Sequence, residues 1–318
     1  MVTKLINRKI TRKNFMKLGG AAIGAGLLPT GLLGNAVRAQ SNQLLHRPIH
    51  STGEMIPAVG LGTASDGFGR AGTAALYEQR KNAVDALIKN GGTVIDTSPT
   101  YRGAEAVVGQ ALNDLGIRDR CFLATKTSIY GKQEGIEQND RSFEALQTGT
   151  FDLLQVHNLK DTDDHLETLS ELKKYGKIRY LGITHVRARL NNEAVGFIEK
   201  YKPDFIQCQY NMLDRSIENS VLPAAREHGV AVMVNVPFGR GRLFRAVSGE
   251  TVPDWANDFG ADSWGKFFLK FILAHPDVTV AIPGTVNDYH VIDNLGALKG
   301  RLPTQAEQSK MINYIQNI

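Results

Sequence analysis

The sequence has only two cysteines, Cys121 and Cys208, and neither a low-complexity tract nor a short internal repeat. These absences exclude a disulfide-dense scaffold, a collagen-like chain and a solenoid. Both cysteines lie in apolar runs and are predicted to be buried small hydrophobic side chains. With 42% hydrophobic and 22% charged residues, the 318-residue chain has an ordinary globular composition and is long enough for one large α/β domain.

Positive charge is scarce outside the amino terminus. The formal net charge is +5, but residues 1–39 contain seven of the 37 Lys and Arg residues and no acidic residue. The remainder therefore carries 30 basic and 32 acidic side chains and is nearly neutral. A nucleic-acid partner is not expected, because such partners are bound by basic surfaces.

Residues 1–39 have the pattern of an export signal peptide. A basic region precedes an apolar Gly/Ala/Leu stretch over residues 18–37, and a small-residue cleavage pattern ends at Ala39. Residues 11–17 resemble a twin-arginine (Tat) signal in which Lys13 replaces the second arginine. We expect cleavage, export to the periplasm by the Tat machinery, and no stable membrane span in the mature protein. An uncleaved anchor and a retained cytoplasmic leader are the alternatives.

The body of the chain alternates between short apolar runs and amphipathic stretches. The eight apolar runs are typical of buried strands: 58–61, 93–95, 121–125, 151–156, 178–183, 205–209, 230–236 and 278–282. Between them, apolar residues recur three and four apart, as at Leu166, Leu169 and Leu172, which predicts helices. Eight such units predict parallel strands in an α/β (β/α)8 TIM barrel over residues 40–318, followed by a C-terminal helix after Pro303.

A glycine-rich segment favours a different fold. Residues 67–72 (GFGRAG) match G-x-G-x-x-G after a predicted strand and before a predicted helix, and Asp96 ends the next strand. These are the parts of a Rossmann dinucleotide-binding fingerprint. However, the first glycine lies five residues past Gly62 rather than at an immediate strand-to-helix turn. We expect a flexible loop over a barrel mouth instead.

Polar side chains stand where five consecutive predicted strands end. They are Asp96 with Tyr101 in the following loop, Lys126, His157 with Asn158, Thr184 with His185, and the residues from Gln207 to Asn211. The carboxyl ends of barrel strands form one mouth, so we expect these side chains to converge there. Singly, each has an ordinary alternative, such as a solvated Lys or a structural His. Together, four titratable residues on neighbouring strands indicate a reaction site.

Several segments resemble the aldo-keto reductase family. Residues 94–105 (VIDTSPTYRGAE) resemble its Asp-Thr-Ala, Tyr-Gly and Glu signature, and residues 124–126 and 152–157 resemble its third-strand lysine and fourth-strand histidine. Residues 282–285 and Asn294 are similar to its cofactor-binding end. The resemblance implies reduction of a small-molecule aldehyde or ketone to an alcohol by hydride transfer from NAD(P)H.

The resemblance assigns catalytic roles to four residues. Tyr101 would be the general acid that protonates the carbonyl oxygen, and Lys126 would lower the pKa of its phenol below the usual value of about 10. Asp96 would pair with Lys126 and hold it in place. His157 would donate a hydrogen bond to the carbonyl oxygen and orient it.

The resemblance also implies an NADP site, with NAD as the alternative cofactor. The implied cofactor-binding residues are Thr184, His185, Gln207, Pro237, Phe238, Gly239, Arg240, Arg242, Ile282, Gly284, Thr285, His290 and Asn294. Thr184 and His185 replace the usual Ser-Asn pair. Gly284 and His290 replace the Lys and Arg of NADP-preferring members. Asn235 stands where an aromatic ring often stacks on the nicotinamide.

Two other functions use the same strand-end residues. A metal-dependent TIM-barrel hydrolase would draw its ligands from them, although the first strand has no His-x-His and the chain has no HExxH. A non-catalytic module that senses cofactor redox state is favoured by the altered nicotinamide contacts. No metal ion is expected, and a monomer is the default expectation. Trp255 and Phe259 mark either a substrate wall or ordinary loop anchors.

Overall fold

Eight parallel strands form a closed barrel in this computed structural model, which describes residues 43–64 and 67–318. The strands are β3 Leu61–Gly62, β4 Val94–Asp96, β5 Phe122–Thr127, β6 Phe151–His157, β7 Ile178–Thr184, β8 Phe205–Gln209, β9 Ala231–Asn235 and β10 Val278–Ala281. Each pairs with the next along the chain. Bridges from Val59 to Ala281 and from Gly62 to Gly284 join the first strand to the last. The predicted TIM barrel is confirmed.

The Rossmann interpretation of the glycine-rich segment is wrong. The strand order follows the chain without the reversal at which an open doubly wound sheet binds a dinucleotide. Residues 67–72 form a turn before the first helix, and Phe68 is fully buried, so this part of the loop is anchored. Gly69 packs so closely against the backbone of Tyr101 and Arg102 that a Cβ atom would clash there. The glycine thus serves backbone packing beside the barrel mouth.

A β-hairpin at the amino end of the barrel was missed by the sequence analysis. Strand β1, His46–Pro48, pairs antiparallel with β2, Met55–Pro57. Its apolar residues Ile49 and Ile56 belong to the cluster inside the barrel. The two strands are only three residues long, which is too short for a clear alternating pattern. The hairpin closes the end of the barrel opposite to the predicted site.

Ten α-helices are present in the described part of the chain. They are α1 Ala74–Lys89, α2 Ala104–Leu115, α3 Lys132–Ala145, α4 Thr162–Lys174, α5 Asn191–Tyr201, α6 Val221–His228, α7 Arg242–Ala246, α8 Trp264–Leu273, α9 Asp288–Gly296 and α10 Gln305–Gln316. The predicted stripe Leu166, Leu169 and Leu172 is buried in α4. The predicted C-terminal helix is α10, whose first turn has a capping box between Thr304 and Glu307.

Side chains alternate strictly along the barrel strands, which determines what reaches the mouth. The cluster inside the barrel consists of Ile49, Ile56, Val94, Phe122, Ala124, Leu153, Tyr180, Phe205, Ala231, Met233, Val280 and Ile282. The next inward position towards the carboxyl end is polar on most strands. These positions are Asp96, Lys126, Gln155, Gln207 and Asn235. The apolar interior of the barrel is thus followed by a layer of polar side chains at its carboxyl end.

Other features of the chain agree with an ordinary folded domain. Cys121 and Cys208 are buried free thiols, as predicted. The expected signal peptide, residues 1–39, lies outside the described residues. Among the helices that are described, none combines the length and apolarity needed to cross a membrane.

Candidate active site

A buried ion pair lies at the centre of the polar layer. Lys126 Nζ contacts both carboxylate oxygens of Asp96, at 2.8 and 2.7 Å, and the carbonyl oxygen of Thr97 at 2.7 Å. Both side chains are almost completely shielded from solvent. Burial lowers the pKa of Lys126, but Asp96 and Tyr101 raise it by more, so its net shift is upward. Lys126 is therefore an ammonium held by three oxygen atoms.

The Tyr101 phenol lies next to this ion pair. Lys126 Nζ is 5.0 Å from the centroid of the Tyr101 ring. Burial raises the pKa of Tyr101, Lys126 lowers it, Asp96 raises it further, and the net shift is upward. The predicted direction of the Lys126 effect is confirmed, but the predicted net lowering is wrong. The reason is that burial disfavours the phenolate, while Asp96 already neutralises much of the ammonium charge.

His157 is a neutral imidazole with one nitrogen already engaged. Burial, assisted by the charges of Lys126 and Lys160, lowers the pKa of His157 to about 3. Its ring stands edge-on to the Tyr101 ring, with the centroids 6.1 Å apart. Nδ1 makes a short hydrogen bond with the Ser128 hydroxyl. When that hydroxyl donates, the ring proton resides on Nε2, which is the arrangement required to donate to a carbonyl oxygen.

Two glutamines extend the hydrogen bonds of the ion pair across the mouth. Gln207 Nε2 donates to Asp96 Oδ1 at 2.8 Å, and Gln155 Nε2 approaches the same oxygen at 3.5 Å. The other end of the Gln207 amide, Oε1, accepts from the Thr184 hydroxyl at 3.1 Å. The Asp96 carboxylate therefore orients amides on strands β6 and β8 as well as the lysine on β5.

His185 and Asn235 bring unpaired polar atoms to the same side of the mouth. Neither ring nitrogen of His185 nor Oδ1 of Asn235 has a hydrogen-bond partner of normal geometry among the described residues, although these atoms are buried. Burial lowers the pKa of His185 to about 4, against a smaller opposing effect of the Arg187 backbone. Buried polar groups are nearly always paired in folded proteins, so these atoms indicate a binding site for a polar group.

The loop after β9 has a strained backbone beside the catalytic residues. Val236 has φ +50° and Arg240 has φ +56°, which is the left-handed region. For a β-branched residue this is a rare conformation. The Asn211 side chain donates to the Val236 carbonyl oxygen at 3.0 Å and holds the turn. The Arg240 charge acts on Tyr101 and lowers its pKa, so the predicted loop 237–242 does reach the mouth.

The residues after β10 form a second polar group farther from the phenol. The Thr285 hydroxyl is 3.1 Å from His290 Nδ1, and Asn294 is buried in α9. Gly284 packs against Gly62 where the barrel closes. The side chain of Ile282 is part of the apolar cluster inside the barrel, and its contact with the cofactor stays a prediction.

Sequence reasoning missed two residues that support the site, Ser128 and Gln155, and it did not predict the role of Asn211. Ser128 lies two residues after Lys126, and Gln155 lies two residues before His157. Because alternate residues of a strand share a face, this spacing was a usable signal. Asn211 follows a strand as an ordinary turn residue, and nothing in its spacing indicates that it holds Val236.

Trp255 and Phe259 are loop anchors and not a wall of the site. Phe259 is buried, and the Trp255 ring packs against the rings of Phe259, Phe267 and Tyr314 at 5.8 to 6.2 Å. Phe267 is in α8 and Tyr314 is in α10, on the outside of the barrel. These aromatic residues attach the long segment before α8 to the helical layer.

Residues 58–316 match the sequence model of the aldo/keto reductase family. This chain belongs to that family. The match includes all eight strands of the barrel but not the hairpin that precedes them. The family resemblance seen in the sequence is confirmed, and it favours a reductase over a barrel hydrolase. No group of three or more His, Cys, Asp or Glu side chains within residues 43–64 and 67–318 is arranged to hold a metal ion.

Individual proteins that are similar to this chain support the same family assignment. The chain is 31% identical to aldo-keto reductase YhdN of Bacillus subtilis over 61% of this chain, a match that spans 62% of YhdN. It is 28% identical to the NADH-specific methylglyoxal reductase of Escherichia coli, over 66% of this chain and 72% of that protein. The crystal structure of an aldo-keto reductase from Klebsiella pneumoniae in complex with NADPH has a TM-score of 0.71 and 29% identity, covering 85% of this chain and 94% of that one.

Proposed function

We propose that this protein reduces an aldehyde or ketone to an alcohol with NADPH or NADH as the hydride donor. The observation that carries the proposal is the convergence of Tyr101, His157 and the Lys126–Asp96 pair at the carboxyl end of a family barrel. Bound nicotinamide supplies the hydride, because no side chain can do so. The residues of the chain then bind the carbonyl oxygen and supply its proton.

The unpaired atoms at the mouth fit a nicotinamide cofactor. A carboxamide offers an NH2 group and a carbonyl oxygen, which complement the unpaired atoms of His185 and Asn235 next to Gln207. Arg240 and Arg242 on the following loop suit the pyrophosphate, and Thr285, His290 and Asn294 suit the far end of the nucleotide. The Klebsiella pneumoniae reductase in complex with NADPH and the NADH-specific reductase of Escherichia coli support either cofactor, and we favour NADPH.

Protonation at the carbonyl oxygen follows from the two hydrogen-bond donors that face the mouth. Tyr101 keeps its proton at neutral pH because burial raises the pKa of the phenol. It is therefore available as the general acid for reduction. The Lys126 ammonium stabilises the phenolate that remains after the proton has moved. The neutral His157 orients the oxygen with Nε2 while Ser128 holds Nδ1.

Substitution of Tyr101 by Phe tests the assignment of the general acid. We expect Tyr101→Phe to lower kcat for methylglyoxal reduction by about 10²- to 10⁴-fold. Its Kd for NADPH, measured by fluorescence titration, should stay within about twofold, because the phenol does not hold the cofactor. The matched control is Tyr130→Phe, which alters a tyrosine that is 63% exposed. Near-normal turnover by Tyr101→Phe would remove the basis of the mechanism.

Methylglyoxal is the first substrate to assay because two proteins similar to this chain, the NADH-specific methylglyoxal reductase and methylglyoxal reductase YeaE, both of Escherichia coli, are methylglyoxal reductases. Both oxygens of the Asp96 carboxylate are occupied by Lys126, so the one acidic side chain of the polar layer is not free to accept a hydrogen bond from a substrate. A small 2-oxoaldehyde presents only acceptors and suits such a layer. A panel of simple aldehydes and ketones completes the assay.

We also propose that residues 1–39 direct Tat-dependent export to the periplasm. The segment's seven basic residues, apolar stretch and small-residue end support this proposal. The full chain is to be expressed in a bacterial host with a working Tat pathway and in one without it. The expected result is a shortened periplasmic form in the first host alone. Full-length protein retained in the cytoplasm of both hosts would contradict the proposal.

A further inference from the structure

Asn235 ends strand β9 with its side chain directed into the barrel mouth. It lies two residues after Met233, which is part of the cluster inside the barrel, so it shares that inward face. The side chain is 7% exposed. Its Nδ2 donates to the His185 carbonyl oxygen at 3.1 Å, whereas its Oδ1 has no partner among the described residues.

The orientation of the Asn235 amide follows from the Asp96 carboxylate. A carboxylate only accepts, so Gln207 presents Nε2 to Asp96, at 2.8 Å, and directs Oε1 the other way. That oxygen accepts from the Thr184 hydroxyl at 3.1 Å and from Asn235 Nδ2 at 3.4 Å. Asn235 therefore presents its NH2 group to two carbonyl oxygens. Its own oxygen is left as a buried acceptor that lacks a donor.

The family resemblance places Asn235 beside the nicotinamide ring, where an aromatic residue often stacks. A carboxamide cannot replace that stacking, but it can form a hydrogen bond. We propose that Asn235 Oδ1 accepts a hydrogen bond from the carboxamide NH2 group of the bound cofactor. The proposal rests on the proposed function, and it assigns to Asn235 a ligand contact in place of the missing stack.

The neighbouring residues Thr184 and Gln207 already form hydrogen bonds within the protein, so recognition of the NH2 group is left to Asn235. The Thr184 hydroxyl already donates to Gln207, and the Gln207 amide already donates to Asp96. The Gln207 oxygen already accepts twice. Among the side chains of Thr184, Gln207 and Asn235, Oδ1 of Asn235 is thus the oxygen acceptor that has no donor from the described chain. Affinity for the cofactor should depend on the carboxamide N–H as much as on the ring.

The test compares NADPH with its reduced 3-acetylpyridine analogue, in which a methyl group replaces the carboxamide NH2. Kd values are measured by isothermal titration calorimetry. The unmodified protein should bind NADPH at least tenfold more tightly than the analogue, because the analogue leaves a buried acceptor unpaired. In Asn235→Leu, which removes the acceptor at similar size, the preference should fall below threefold. Affinity for the analogue should change little.

Gln209→Leu is the matched control. Gln209 pairs with Asn235 in the sheet register, and its Nε2 donates to Asp214 at 2.8 Å. This variant should keep the full preference for NADPH. Thermal unfolding checks that each variant is folded, and Asn235→Ala replaces the Leu variant if that variant unfolds.

Two outcomes would overturn the inference. The first is a preference below threefold in the unmodified protein, which is measured without any substitution. The second is an undiminished preference in a folded Asn235 variant. Failure of the unmodified protein to bind either nucleotide would instead contradict the proposed function, so the two failures are distinguishable.

Discussion

The two ends of the barrel satisfy their polar groups in opposite ways. At the amino end, the Asp152 carboxylate accepts from the Leu123 N–H at 2.8 Å, from Arg118 at 3.1 Å and from Arg179 at 2.8 Å. At the carboxyl end, buried polar atoms remain unpaired. Ten such side-chain atoms are present in the described residues. Six of them lie in the carboxyl-terminal part of a barrel strand or directly after it, on Thr97, Gln155, Asn158, His185 and Asn235, and one lies on the amino-end hairpin.

Backbone strain is distributed in the same way. Within residues 43–64 and 67–318, eight non-glycine residues have a positive φ. Six of these lie in carboxyl-end loops: Arg102, Asn158, Leu159, Asp161, Val236 and Arg240. The amino-end hairpin uses a glycine, Gly53, for its left-handed residue. Strain and unpaired polar groups are both unfavourable for folding. Their concentration at one end indicates that this end is shaped for a ligand, and that the other end stabilises the fold.

The largest effect on stability is expected at the amino end. Asp152→Ala leaves two guanidinium groups and one backbone N–H without their shared acceptor. We expect the free energy of unfolding to fall by about 3 kcal/mol in urea titrations, with the Kd for NADPH unchanged. The matched control is Asp163→Ala, whose ion pair with Lys200 is exposed and should make no measurable difference. Loss of cofactor binding in folded Asp152→Ala would break the contrast between the ends.

Acid sensitivity is expected to come from the carboxyl end. In the folded state the pKa of His185 is about 4, below its unfolded value of about 6.5, so the unfolded chain binds more protons as the pH falls. His185 alone should therefore make the protein about 2 kcal/mol less stable at pH 5 than at pH 7. His185→Asn should remove that part of the pH dependence in urea titrations at both pH values. An unchanged slope would show that His185 is solvated or paired.

The smallest effect concerns the strain at Val236. Val236→Gly relieves a left-handed β-branched residue but adds backbone entropy to the unfolded chain, so stability should change by no more than about 1 kcal/mol. Val234→Gly, two residues earlier in strand β9, is the matched control. It deletes a fully buried side chain and should cost about 3 kcal/mol. If both variants lose equal stability, Val236 is not strained, and the argument from backbone geometry weakens.

Much of the barrel and its mouth was predictable, because both depend on local repetition. The alternation of apolar runs and amphipathic stretches was sufficient to predict eight strand–helix units. Asp96, Lys126 and His157 each end a predicted strand, which brings them to one end of the barrel, and the period-two spacing of a strand determines the face on which they lie. The hairpin β1–β2 was not predictable, because its strands are too short for periodicity to show. The role of Asn211 was also hidden, since it depends on a carbonyl oxygen 25 residues along the chain.

The sequence by itself determined the types of residue, their order and the face of each strand on which they lie. Only the tertiary structure decided their energetics. It raised the pKa of Tyr101, where the sequence predicted a lowering, because burial and Asp96 outweigh Lys126. It also oriented Gln207 and Asn235 through a carboxylate on a distant strand. The physical reason is that hydration and charge interactions depend on distances between residues far apart in the chain, and side-chain periodicity contains no information about them.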